Sequence, residues 1–125
     1  MDDGSEELLA KAKEAISSCY CPYSGFHVTA VIEDDEGGLH WGVNVENSSY
    51  GLTICAERAA VFNAVSRGQK KFRRILIYSP DAYPLPCGAC RQVLAEFCDD
   101  DFPVILATPD SIKHYTLGEL LPHRF

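Results

Sequence analysis

The sequence predicts an α/β domain in which helices pack in layers on a sheet. Two short apolar runs, at residues 75–78 and 102–107, enclose a stretch with helical spacing at residues 88–97. Two further strand patterns lie earlier in the chain and meet at a glycine-containing turn, residues 34–38. Strands that alternate with helices are typical of a layered α/β architecture. The length of 125 residues is that of one domain, so we expect residues 1–125 to form a single unit.

The first half of the chain is predicted to be a helix followed by a hairpin. Residues 6–18 have apolar side chains at helical spacing, and Pro22 limits the extension of that helix. Residues 26–33 and 39–45 have the composition of two strands on either side of the turn. The apolar positions of the helix are Leu8, Leu9, Ala12, Ala15 and Ile16.

The middle of the chain is predicted to be a polar loop followed by a second helix. Residues 47–51 are polar and contain a glycine, which indicates a loop. Thr53 is a suitable N-cap for a helix over residues 55–67, and Gly68 is a suitable C-cap. The basic run at residues 70–74 lies between this helix and the next strand, so we expect a solvated turn there.

The last third of the chain is predicted to complete the alternation of helices and strands. After the strand at residues 75–78, a loop with three prolines, residues 79–86, leads into the helix at 88–97. The strand at 102–107 follows, and residues 117–121 have the pattern of one more helical turn.

The composition excludes several classes of function. The formal net charge is −7, which opposes binding to a phosphate backbone, so no nucleic-acid partner is expected. No stretch approaches the roughly 20 apolar residues of a membrane-spanning helix, so no membrane partner is expected. The acidic start lacks the pattern of a signal peptide, and six cysteines without such a signal are typical of a reducing, cytoplasmic compartment.

Two short cysteine motifs, 32 positions apart, carry most of the chemical information. Cys55 is followed two positions later by Glu57, and Cys87 and Cys90 form a Pro-Cys-x-x-Cys pattern. Both motifs fall where a loop enters a predicted helix, and the positive end of a helix dipole favours thiolate over thiol. Three thiolates can hold a zinc ion with one position open for water, and a nearby carboxylate can move protons. This arrangement, with His or Cys as the first ligand, is the signature of zinc deaminases.

A structural zinc site and a redox dithiol are the alternatives to a catalytic zinc site. A structural site usually has four protein ligands. Cys98 lies eight positions beyond Cys90, at the far end of the same predicted helix, and should point away. Positions i and i+2 of a helix do not face the same way, so Glu57 is better placed beside a water than on the metal. The spacing therefore favours a catalytic zinc site.

Two arginines adjoin the predicted ligands. Three thiolates make the metal centre negative, which opposes the lowering of the pKa of a bound water. Arg58 is expected to hydrogen-bond a ligand sulfur and withdraw that charge, as groups around metal ligands do. Arg91 has two open interpretations, the same role or a surface position.

Five segments in order resemble the short, homotetrameric cytidine deaminases of pyrimidine salvage, over almost the whole chain. One motif alone could mislead, but five in sequence order are highly specific. The segments are residues 22–26, 42–50, 55–58, 86–94 and 120–125. The resemblance implies a three-layer α/β/α fold with a mixed, roughly five-stranded sheet.

The same resemblance implies the reaction and its cofactor. It implies one Zn²⁺ per chain, bound by Cys55, Cys87 and Cys90, and the hydrolytic deamination of cytidine and deoxycytidine to uridine and deoxyuridine. It implies that zinc-bound water attacks C4 of the base. Glu57 is implied as the proton shuttle that serves first the ring and then the leaving ammonia.

The resemblance also implies a set of substrate contacts. Asn44 and Glu46 would hydrogen-bond the sugar 3′-hydroxyl, the Ala56 backbone would border the pyrimidine, and Phe26 would pack near the base. Phe125 would reach the site of a neighbouring subunit in a homotetramer. An amide and a carboxylate suit a hydroxyl group, which both donates and accepts. From the residues alone, Asn44 and Glu46 would be polar groups that satisfy local backbone, and Phe26 would be core.

The sequence departs from the family pattern after Phe26. Family members commonly have Val-Gly-Ala-Ala where this chain has Val28, Thr29, Ala30 and Val31. The bulkier side chains are expected to alter the packing under the pocket.

Three other functions compete with cytidine deamination. A blasticidin-type or other nucleoside-analogue deaminase would share the zinc and Glu57 and differ in sugar recognition. An RNA- or DNA-editing deaminase more often has His as the first ligand and a basic surface, and both Cys55 and the negative charge oppose it. A non-catalytic zinc-stabilised domain would not need Glu57 or the segment at residues 42–50.

Overall fold

Five strands and four helices make up the fold of residues 4–120, the part of the chain that the computed structural model describes. The helices are α1 (Ser5–Ala15), α2 (Ala56–Ser66), α3 (Gly88–Phe97) and α4 (Leu117–Leu120). The strands are β1 (Thr29–Asp34), β2 (Leu39–Val43), β3 (Phe72–Tyr78), β4 (Pro103–Ala107) and β5 (Ile112–Thr116). No helix in this part of the chain is long and apolar enough to cross a membrane.

The strands form one mixed sheet in the order β2-β1-β3-β4-β5. β1 pairs antiparallel with β2 and with β3, and β4 pairs antiparallel with β5. β3 and β4 are parallel, and the chain crosses between them through α3, because parallel neighbours need a crossover connection. The predicted α/β class with a mixed five-stranded sheet is confirmed.

Helices cover both faces of the sheet, because apolar side chains alternate along the strands. Residues i and i+2 of a strand face the same way, and the buried side chains accordingly fall into two clusters. The cluster on the α2 and α3 side includes Ala30 and Ile32 of β1, Ile75 and Ile77 of β3, and Leu94 of α3. The cluster on the α1 side consists of Leu8, Ala12, Val31, Leu76, Tyr78, Ile105 and Ala107. The order of layers is therefore α1, sheet, then α2 with α3.

Thr29 belongs to the α1 side of the sheet. Its side chain is fully buried, and its hydroxyl donates to the Ala12 carbonyl of α1 at 2.9 Å. Its neighbours Val28 and Ala30 belong to the cluster on the opposite face. The expected change of packing under the pocket is therefore not at Thr29, which ties α1 to β1 instead.

The predicted element boundaries need several corrections. The helix predicted over residues 6–18 ends at Ala15, and a 3₁₀ turn covers Ile16–Ser18. The first two strands are shorter than predicted, and β3 begins earlier, at Phe72 rather than at residue 75. The basic run is therefore not a solvated turn throughout: Arg73 and Arg74 lie in β3 and form ion pairs with Glu33 of β1 at 3.3 and 2.7 Å.

The edge strand β5 was not predicted from the sequence pattern. Among residues 4–120 it pairs with β4 alone, and the side chains of Lys113 and His114 are exposed. A short strand at a sheet edge lacks the apolar run that marks a buried strand, so its sequence resembles that of a loop.

Candidate functional site

Three cysteine sulfurs converge where α2 and α3 begin. Cys55 is the N-cap residue of α2 and Cys87 is the N-cap residue of α3, and Cys90 lies in the first turn of α3. Their Sγ atoms all lie within 4.8 Å of one another. The Sγ of Cys87 is 3.7 Å from that of Cys55 and 3.3 Å from that of Cys90. Two helix starts thus place the three predicted ligands together.

The arrangement of the three sulfurs fits a zinc ion. A tetrahedral ion with metal–sulfur bonds of about 2.3 Å separates its sulfur ligands by about 3.8 Å, which is close to the observed spacings. Among residues 4–120, no fourth His, Cys, Asp or Glu joins this cluster. Cys98 is buried in the core cluster on the α2 and α3 side, away from the site. Thiolates are ligands that zinc prefers, and three of them leave one coordination position free.

Hydrogen bonds to the sulfurs favour the thiolate form of Cys55. The Cys90 thiol, Arg58 and the Cys87 thiol hydrogen-bond to it and lower the pKa of Cys55 to about 5, against the opposing effect of burial. The same bond to Cys55, together with burial, raises the pKa of Cys90. A negative charge is therefore centred on Cys55, where a cation would bind.

Arg58 contacts the sulfur of a predicted metal ligand, as expected of a residue that withdraws negative charge from it. Its Nη2 donates to the Cys55 Sγ at 3.5 Å and to the Thr53 carbonyl at 3.3 Å. Its Nε is buried and has no hydrogen-bond partner among the described residues. Bonding to Cys55 raises the pKa of Arg58, so the guanidinium stays charged beside the sulfur.

Arg91 supports the backbone rather than a sulfur. Its Nε donates to the Pro86 carbonyl and its Nη1 donates to the Leu120 carbonyl, each at 2.9 Å. It therefore fixes the turn before Cys87 and joins it to α4. The structure therefore supports neither interpretation of Arg91: its hydrogen bonds go to backbone carbonyls rather than to a sulfur, and it is not a surface side chain without contacts.

Glu57 lies in the first turn of α2 and is only 5% exposed. Burial, reinforced by the charge on Cys55, raises its pKa to about 7. A carboxyl group that titrates near neutral pH can both accept and return a proton efficiently. This side chain lines the same cavity as Cys55 and Cys87, so a proton carrier and the three sulfurs meet in one place.

A cavity of about 420 Å³ lies beside Cys55 and Cys87. Its volume is within the range of small-molecule sites. Its apolar lining includes Phe26 and Val28 from the segment before β1, and Pro84 and Leu85 from the loop before α3. Ala56 is fully buried at the start of α2 and also lines it. The remaining lining residues are Tyr23, Ser24, Asn44, Glu46, Asn47, Tyr50, Thr53, Cys55, Glu57 and Cys87.

Glu46 is a half-buried carboxylate held in a fixed orientation at this cavity. Its Oε1 accepts from the backbone nitrogens of Tyr23 at 3.0 Å and Ser24 at 3.1 Å, and its Oε2 accepts from the Ser24 hydroxyl. The Ser24 hydrogen bond is the main cause of a lowered pKa at Glu46. The group therefore stays ionised and can accept further hydrogen bonds from a hydroxyl.

Asn44 lines the cavity but already bonds to local backbone. Its Oδ1 accepts from the Val28 nitrogen at 3.3 Å and its Nδ2 donates to the Phe26 carbonyl at 2.7 Å. An amide can make four hydrogen bonds, so one donor and one acceptor position remain for a ligand. Asn44 thus anchors the segment that carries Phe26, which itself packs against the core.

Some features of the site were missed by the sequence reasoning, and one prediction cannot be compared with the structure. The sequence patterns include Ser24 only within the segment 22–26, and Pro84 and Leu85 only within the proline-containing loop 79–86. Their signal was available, since a polar turn and a proline-rich loop next to a ligand motif are frequent sites of function. Phe125 lies outside the described residues.

The chain is similar in sequence and in structure to known proteins of one family. The family model for the cytidine and deoxycytidylate deaminase zinc-binding region matches residues 3–106. A cytidine deaminase of Sporosarcina psychrophila is 43% identical over 122 residues, which are 96% of this chain and 90% of that protein. A probable cytidine deaminase of Dictyostelium discoideum is 45% identical, covering 96% of this chain and 82% of that protein. The crystal structure of a cytidine deaminase from Burkholderia pseudomallei superposes with a TM-score of 0.90 at 38% identity, over 96% of this chain and 98% of that chain.

Proposed function

We infer the function from one premise: this chain belongs to the cytidine and deoxycytidylate deaminase zinc-binding family. It is a short cytidine deaminase, a zinc-dependent enzyme that converts cytidine to uridine. In this hydrolysis a C4–O bond to water forms, the C4–N bond breaks and ammonia leaves. The observation that carries the assignment is the cluster of three thiols at a cavity that two of them, Cys55 and Cys87, line together with the buried carboxyl group of Glu57. We propose that deoxycytidine is a second substrate.

We propose that Cys55, Cys87 and Cys90 hold the zinc ion. When bound, zinc supplies the Lewis acidity that makes a water molecule nucleophilic near neutral pH. Arg58 would act on Cys55 by drawing negative charge away from its sulfur, which the 3.5 Å contact supports. Arg58 is thus a positioning residue, since it acts through a ligand.

We propose that Glu57 moves the protons of the reaction. It would accept a proton from the attacking water, deliver it to the pyrimidine ring nitrogen, and serve the leaving ammonia in turn. The burial that raises its pKa to about 7 supports this role, because both protonation states are then accessible at neutral pH.

The substrate would be oriented by other residues that line the cavity. Glu46 and Asn44 would hydrogen-bond the sugar 3′-hydroxyl, and their place on the cavity wall supports this. Phe26 would pack near the base, and the Ala56 backbone would border the pyrimidine. Phe125 would reach the cavity of a neighbouring subunit, a role that rests on the family resemblance alone. A free nucleoside has no phosphate that would be repelled by Glu46.

We further propose that residues 1–125 form one domain and that four copies associate in the cytoplasm. Large apolar side chains exposed near the cavity support an association, since monomers rarely expose such patches. Tyr50 is 93% exposed, Leu52 64%, Tyr23 60% and Leu85 57%. Six cysteines without a disulfide suit a reducing compartment.

Ammonia release from a panel of substrates tests the proposal. Purified protein of known zinc content is assayed with cytidine, deoxycytidine, adenosine and blasticidin S. We expect ammonia release from cytidine and deoxycytidine and none from adenosine. Preferred turnover of blasticidin S would support the alternative of a nucleoside-analogue deaminase. The matched control is Cys87→Ser, which should lose both zinc and activity.

A further inference from the structure

A histidine–aspartate pair joins two segments of the chain that both line the cavity. The Asp81 Oδ2 accepts a hydrogen bond from the His27 backbone nitrogen at 2.7 Å and lies 2.8 Å from the His27 Nδ1. The two residues are 54 positions apart in the chain. Neither side chain lines the cavity within the described part of the chain.

His27 and Asp81 each belong to a segment of the chain that lines the cavity. His27 lies between Phe26 and Val28, which both line the cavity. Asp81 lies in the segment 79–87, which contains no helix or strand and contributes Pro84 and Leu85 to the lining. The pair therefore links a segment without regular structure to the start of the sheet.

The orientation of Asp81 is itself fixed. The Ser79 hydroxyl, on a fully buried side chain, accepts from the Asp81 backbone nitrogen at 3.1 Å. The hydrogen bonds from the His27 backbone and then its side chain lower the pKa of Asp81. The carboxylate thus stays ionised, while a buried serine at the end of β3 holds its backbone.

An ordinary surface ion pair would be the simpler interpretation. The side chains are 40% and 39% exposed, and exposed ion pairs contribute little on average. Here, however, one donor is a backbone N–H, which does not depend on the charge of the imidazole. The link therefore persists when His27 is neutral, and hydrogen bonding rather than charge is its basis.

We propose that His27 and Asp81 are a positioning pair that fixes the segment with Pro84 and Leu85 relative to Phe26 and Val28, and so sets the affinity for the nucleoside. The inference rests on the proposed function. Within the described part of the chain, neither residue contacts the three sulfurs, whereas the segments that the pair joins line the cavity. We therefore expect an effect on binding rather than on the chemical step.

Steady-state kinetics with cytidine and calorimetric binding of the product uridine test the proposal. Asp81→Ala removes both hydrogen bonds and should raise KM and the uridine dissociation constant about threefold to tenfold, with kcat within about twofold of wild type. Asp81→Asn keeps an acceptor oxygen and should rescue both values. His27→Ala should have a smaller effect alone and no effect when added to Asp81→Ala.

Asp110→Ala is the matched control, because Asp110 is an exposed aspartate in the turn between β4 and β5. It should leave KM, kcat and uridine binding unchanged. The proposal is overturned if Asp81→Ala leaves KM unchanged, if it lowers kcat alone, or if Asp81→Asn fails to rescue. Absence of cytidine turnover by the wild-type enzyme would instead overturn the proposed function, and uridine binding would then still report on the pair.

Discussion

Gly42 of β2 lies directly against the backbone of α2 at Ala60. A methyl group on Gly42 would come within 2.4 Å of the Ala60 nitrogen and 2.7 Å of the Ala56 carbonyl oxygen. Backbone atoms cannot move aside as a flexible side chain can. The absence of a side chain at Gly42 therefore lets the sheet support the first turns of the helix that begins beside Cys55 and contains Glu57.

Gly42→Ala is expected to displace the start of α2. The strain should destabilise the fold by about 1–3 kcal/mol, and displacement of Cys55 should weaken zinc retention. Urea unfolding and metal analysis after dialysis measure the two effects. Gly51→Ala is the control, since nothing lies within 4 Å of a methyl group there. Equal stability of the two variants would show that α2 is not constrained by Gly42.

Glu57→Gln is expected to retain zinc and fold but to lose turnover. An amide cannot accept the proton of water at neutral pH, and acid–base groups contribute about 10²–10⁴-fold to rate. Kinetics, metal content and circular dichroism of the purified variant test this together. Near-normal turnover with full zinc occupancy would refute the role of Glu57.

Glu46 is expected to discriminate against nucleotides. Its lowered pKa keeps it ionised at the cavity, so it should favour a hydroxyl and oppose a phosphate. We expect the catalytic efficiency of wild type to favour cytidine over CMP by about tenfold or more, and Glu46→Gln to narrow that ratio. Glu14→Gln, on α1, is the matched control. Comparable efficiency on both substrates by wild type would contradict the prediction.

The buried pair of Asp34 and His40 is expected to make stability depend on pH in the acid range. The Asp34 Oδ2 lies 2.8 Å from the His40 Nε2, and this bond, with backbone donors, lowers the pKa of Asp34. The folded chain therefore binds fewer protons at this site than the unfolded chain does. Its contribution to stability is complete above the ordinary carboxyl pKa of about 4 and is lost as pH falls through the lower, folded value.

Urea unfolding from pH 3 to pH 7 measures this contribution. The difference in unfolding free energy between wild type and Asp34→Asn should be constant above about pH 5 and shrink below about pH 4. Asp110→Asn, at an exposed position, should show no such change. If the difference in unfolding free energy between wild type and Asp34→Asn does not change with pH, the titration of Asp34 does not contribute to the pH dependence of stability.

Tyr50 and Phe125 are expected to support activity through association of subunits. Tyr50 is almost fully exposed at the cavity, and a second copy could cover it. Tyr50→Asp should reduce the size of the particle in ultracentrifugation and lower activity. Deletion of Phe125 should weaken substrate binding more than it weakens folding. A fully active monomer in a dilution series would show that each subunit has a complete site.

The sequence patterns predicted the layers and the sulfur cluster, because both depend on local rules. Apolar periodicity marked α2 and β4, and helix starts placed Cys55 and Cys87 where their sulfurs could meet. The edge strand β5 and the His27–Asp81 link could not be predicted in the same way. Both depend on which segments become neighbours in space, which the tertiary fold decides and local composition does not record.

The two clusters on opposite faces of the sheet have a consequence for engineering and for evolutionary drift. No member of the cluster on the α1 side lines the cavity within residues 4–120. Volume-conserving exchanges there, at positions such as Leu8 or Ile105, should alter melting temperature by a few degrees while kcat stays constant. The α1 layer is therefore the place to look for stabilised variants, and where homologous enzymes can diverge in sequence without a change of substrate.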